Sequence, residues 1–70
     1  MDIEKEIIDV LKKELPPKLI SQVDVIENFI EEKKFRAAYM EMYNLKKNNT
    51  WTPTIKFLSL LEKFWWLYAN

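Results

Sequence analysis

The sequence predicts an all-α fold, a compact bundle of four short helices with a central antiparallel hairpin. Apolar residues recur at three- and four-residue spacings along most of the chain. Three prolines and one polar cluster cut it into helix-length pieces, and no hairpin-type turn dipeptide or alternating run suggests a strand. The reading is of a single helical domain over residues 1–70, with helices at about 2–15, 17–32, 35–47 and 53–68.

In the first segment Ile3, Ile7, Ile8, Leu11 and Leu15 form one stripe. Asp2 is placed to cap the amino end, and Asp9 stands four residues before Lys13. Pro16 disfavours helical geometry at Leu15, while Pro17 suits the first turn of a new helix because its missing N–H has no partner there. The second segment buries Leu19, Val23, Ile26 and Ile30, with Val25 and Phe29 widening the apolar arc. Ser21, Asp24, Glu27, Asn28 and Glu31 make its polar side. Lys33, Lys34 and Arg36 follow, where positive charge favours a helix carboxyl end. The closing position of such a helix is normally Gly or Asn, and this chain has no Gly.

The third segment aligns Phe35, Ala38, Tyr39, Met42 and Leu45, so segments two and three are expected to form the hairpin. Asn48 and Asn49 can stop the third helix, Thr52 can cap the fourth and Pro53 can enter its first turn. The sequon Asn48-Asn49-Thr50 reads as part of this cap and loop. The fourth helix is expected to pack across the hairpin.

Composition excludes much chemistry. The chain has no His and no Cys, which removes an imidazole base, a thiolate nucleophile and the usual zinc ligands. Without Gly it has neither a phosphate-cradling glycine loop nor the turn glycine of a calcium loop. No cofactor or metal is expected, and the remaining carboxylates, lysines and tyrosines lack an identifiable catalytic partner, so the chain reads as no enzyme. Eleven basic residues balance eleven acidic ones, which argues against a general nucleic-acid binder. The start Met1-Asp2-Ile3-Glu4 lacks the pattern of a signal peptide and the last helix is too short and too charged to span a bilayer, so a cytoplasmic protein without membrane partners is expected.

Charge and aromatic content are unevenly spread. Residues 1–50 hold all but three of the charges, and Asp24, Glu27 and Glu31 fall at i, i+3 and i+7 on one face of the second helix. From Trp51 onward the charged residues are Lys56, Glu62 and Lys63, beside six of the chain's ten aromatics. Ile55, Leu58, Leu61, Trp65 and Tyr68 would line one face of helix four, and Phe57, Leu60, Phe64 and Leu67 an adjacent one. Trp65 and Trp66 point about 100° apart on a helix, so both cannot enter one core. A helix this apolar requires burial on more than one side, either as the centre of the bundle or at an interface.

Leu15-Pro16, Phe29-Ile30-Glu31, Lys34-Phe35-Arg36-Ala37-Ala38-Tyr39 and a final helix opening at Pro53-Thr54-Ile55 resemble the small all-helical immunity proteins of bacterial polymorphic toxin systems, in particular the MafI-like group. The central pair also looks like a single tetratricopeptide-type hairpin. The resemblance implies a cytoplasmic protein that neutralises a cognate toxin domain by occlusion. On that reading Asp24, Glu27 and Glu31 steer a basic partner, and Trp66 with Trp51 or Tyr68 anchors it. Two other expectations remain open: a homodimer paired through helix four, and a small DNA-binding regulator, which would lack a basic recognition helix.

Overall fold

The computed structural model describes residues 2–48 and 51–70. Asn49 and Thr50, and with them the sequon and part of the helix-three stop signal, lie outside the described residues. The elements are α1 (Ile3–Glu14), a 3-10 turn (Pro17–Leu19), α2 (Ser21–Glu31), α3 (Phe35–Asn48), α4 (Ile55–Phe64) and a π-helical turn (Trp65–Ala69). No strand occurs among the described residues, so the fold is all-α.

Asp2 caps α1 as its position suggests, its carboxylate accepting from the amides of Glu4 at 3.0 Å and Lys5 at 3.4 Å. The segment read as one helix over 17–32 instead opens as the 3-10 turn, closed by Leu19 N–H to Pro16 O at 2.9 Å. Ile20 then leads into α2 in helical geometry with no side-chain cap. Two adjacent prolines remove two amide donors at this entry, and the tighter i→i+3 turn uses the carbonyls that remain.

At the other end of α2, Lys33 adopts φ 60°, the left-handed position that a helix stop requires. Lys34 N–H reaches Phe29 O at 2.7 Å and Lys33 N–H reaches Ile30 O at 3.0 Å, the paired bonds of a Schellman motif. With no glycine in the chain, a lysine bears the steric cost of that geometry. The turn sends α3 back against α2, and the two pack as the expected hairpin.

Helix four departs from the expected placement across this hairpin. α4 packs chiefly on α1, while its π turn packs on α3. The two helices run antiparallel, tied at one end by Thr54 to Glu14, while at the other end Tyr68 lies beside Glu4. The amino cap of α4 is Thr54, whose hydroxyl accepts from Phe57 N–H at 3.3 Å, and not Thr52. Pro53 holds Thr52 away from helical geometry, and the Glu14 carboxylate fixes Thr54 one residue beyond the proline. The bundle therefore closes by joining its first helix to its last.

One core unites the four helices. Ile7 and Leu11 of α1, Val23 and Ile26 of α2, Met42 of α3 and Phe57 and Phe64 of α4 are its largest fully buried side chains. Among the described residues no polar or charged side chain is buried, so none needs an internal partner.

Candidate interaction surface

α4 turns Phe57, Leu60, Leu61 and Phe64 inward, which leaves Ile55, Leu58, Ser59, Glu62 and Lys63 outside. An α-helix continued past Phe64 would bring Leu67 back towards the core three residues later. The π turn prevents this. Its wider i→i+5 bonding, closed by Asn70 N–H to Trp65 O at 2.7 Å, turns each residue through a smaller angle. Ala69 comes inward beside Tyr68, which lies four residues after Phe64 on the inner face, and Leu67 stays out.

The inward side of the turn is held by aromatic contacts. The Tyr68 ring stacks on Phe35 at 4.9 Å between centroids and meets Phe64 at 5.2 Å, and Phe35 meets Phe64 edge-on at 6.1 Å. Trp65 packs on Tyr39 at 4.9 Å. Arg36 at the start of α3 donates through Nε to the Ala69 carbonyl at 3.2 Å, placing a cation at the carboxyl end of the last turn. Burial, the neighbouring Glu4 carboxylate and its hydrogen bond, and the charge of Asp2 push the Tyr68 phenol above its ordinary value of 10.0.

The outward side is the exposed apolar strip. Trp66 and Leu67 each keep 63% of their surface in solvent and Ile55 keeps 82%. Ser59, Glu62, Lys63, Trp66 and Leu67 line one surface depression on this face. Of the aromatics singled out in the sequence, Trp66 belongs to this strip. Trp51 is drawn inward, meeting Phe57 edge-on at 5.3 Å, and Tyr68 is held in the Phe35 cluster. Consecutive Trp65 and Trp66 divide as their angular separation demands, one against α3 and one in solvent.

The acidic stripe of α2 meets α1. Glu27 and Glu31 line a groove between the two helices, joined from α1 by Asp2, Glu4 and Asp9. Ile8 and Ile30 supply its apolar lining, and Lys5 and Lys12 its positive charges. Lys12 Nζ pairs with Glu27 at 3.6 Å across the groove, an exposed contact of small energetic weight. Asp24 is exposed one turn before Glu27 and does not line the groove. The α1 carboxylates were not legible as part of this surface, because nothing in the spacing of α1 announces which helix lies beside it.

Among the described residues no group of His, Cys, Asp and Glu is placed to hold a metal ion, and no helix is long and apolar enough to cross a membrane. Comparison with protein-family models, with curated proteins and with solved structures gave no match for this chain.

Proposed function

We propose that this chain is a non-catalytic protein-binding domain, acting as an immunity-type inhibitor that occludes a cognate bacterial toxin in the cytoplasm. The observation that carries the binding role is the outer face of α4. Ile55, Trp66 and Leu67 stand in solvent along α4 and its π turn, whose opposite side is buried in the core. Covering a large apolar side chain is worth about 1.5–3 kcal/mol, and Trp is a favoured anchor in interfaces. The more specific inhibitor role rests on the resemblance of the Leu15-Pro16, Lys34–Tyr39 and Pro53–Ile55 segments to immunity proteins.

On this reading the carboxylates of the α1–α2 groove, with Asp24 beside them, draw in a basic partner from a distance. Trp66, flanked by Leu67, then supplies the apolar contact. Co-expression with the product of the neighbouring gene tests the proposal: a co-purifying complex and relief of that product's toxicity are expected. Absence of both defeats it.

A further inference from the structure

We infer that in the free protein the outer face of α4 pairs with the α4 of a second copy, side by side and parallel, about a two-fold axis running along the helices. The inference rests on the reading of that face as an interaction surface and names what covers it when no other partner is bound.

The pattern on the face is self-complementary. Two i,i+4 rows run along it, Glu62–Trp66 and Lys63–Leu67, and Ser59 stands at the head of the depression between them. A two-fold axis parallel to the helices brings the left row of one copy against the right row of the other. Glu62 then faces Lys63 of the second copy, and Lys63 faces its Glu62, so the ion pair forms twice across the axis and every charge of the two rows has a partner. One turn on, Trp66 meets Leu67 of the second copy, and the same contact repeats in reverse. Small Ser59 lets the two axes approach, and Ile55 meets its own counterpart at the amino end.

The antiparallel arrangement centred on Ser59 lacks this match. It opposes like rows, setting Lys56 of each copy against Lys63 of the other, a like-charge contact that disfavours it. The whole chain is neutral, so no net repulsion opposes the approach of two copies. A toxin that anchors on Trp66 must displace the second copy.

Sedimentation of the wild-type chain should show a dimer at micromolar concentration. Glu62→Lys alone and Lys63→Glu alone should each weaken it by about tenfold, through a like-charge contact repeated across the axis, whereas the double exchange should restore it. The chain has no cysteine, so Ser59→Cys and Ile55→Cys can be introduced singly and oxidised. Both should cross-link. A monomeric wild type overturns the inference, as does cross-linking through Ser59→Cys but not Ile55→Cys, the signature of antiparallel pairing. Either result leaves the co-expression test of the binding role untouched. All four positions are exposed, and circular dichroism checks that each variant retains its helices.

Discussion

Glu14 and Thr54, 40 residues apart in the chain, close the α1–α4 seam through a two-point contact: the carboxylate accepts from the Thr54 amide at 3.3 Å and from its hydroxyl at 2.5 Å. The same hydroxyl accepts from Phe57 N–H, so the last turn of α1 orients the cap that starts α4. Cap and clamp act as one unit. Thr54→Ala should cost about 0.5–2 kcal/mol as a lost amino cap. Glu14→Gln should cost less, and a double-mutant cycle by urea unfolding should show coupling of about 0.5 kcal/mol or more between the two positions. Additive effects would mean that the contact does not orient the cap.

Tyr68, beside Glu4 at the opposite end of the seam, makes stability depend on alkaline pH. The folded state holds the Tyr68 proton more tightly than the unfolded chain, because burial and the Glu4 and Asp2 charges disfavour the phenolate. Between the unfolded and folded values the native state therefore binds more protons, and unfolding becomes easier as pH rises. The stabilisation should be intact below about pH 10 and lost as pH climbs through the raised value. Urea midpoints followed into the alkaline range should fall more for the wild type than for Tyr68→Phe. Parallel curves would show that Tyr68 is not the group responsible.

Lys33 offers a substitution in the stabilising direction. At φ 60° its Cβ crowds the backbone, whereas glycine occupies this region freely. Lys33→Gly should raise stability by about 0.5–1 kcal/mol, the relief of strain exceeding the entropy gained by the unfolded chain. For a domain of this size that corresponds to a rise in Tm of roughly 2–8 °C. A drop in Tm would show that the lysine side chain contributes more than its geometry costs.

Periodicity made most of the core legible, since Ile7, Leu11, Val23, Ile26 and Met42 stand on stripes that any helical spacing reveals and all are fully buried. What remained hidden depended on partners distant in sequence. Thr52 and Thr54 are equally good caps by type, and the choice is made by Glu14 from another helix. The neighbour of α4 is hidden for the same reason: the Glu14 clamp belongs to α1, whose spacing describes only its own face. The sequence shows the acidic stripe Asp24, Glu27 and Glu31, but the meeting of Glu27 and Glu31 with Asp2, Glu4 and Asp9 across a groove follows from helix packing.

The π turn separates two residues that share one stripe in the sequence. Phe64 is fully buried against Phe35 and Tyr68, while Leu67, three residues on, is 63% exposed. Phe64→Ala opens a cavity in the core that unites the four helices and should cost about 3–5 kcal/mol, a large part of the stability of so small a domain. Leu67→Ala removes a largely exposed side chain and should change stability by no more than about 0.5 kcal/mol. The comparison belongs in dilute solution, below the concentration of self-association, because any pairing through this face would add to the stability of the wild type alone. Had the helix continued in α geometry, Leu67 would return towards the core and its truncation would cost about 2–5 kcal/mol, as for other buried leucines. A near-neutral Leu67→Ala beside a crippling Phe64→Ala thus reports the π turn from solution, and with it the outward rotation that creates the apolar face.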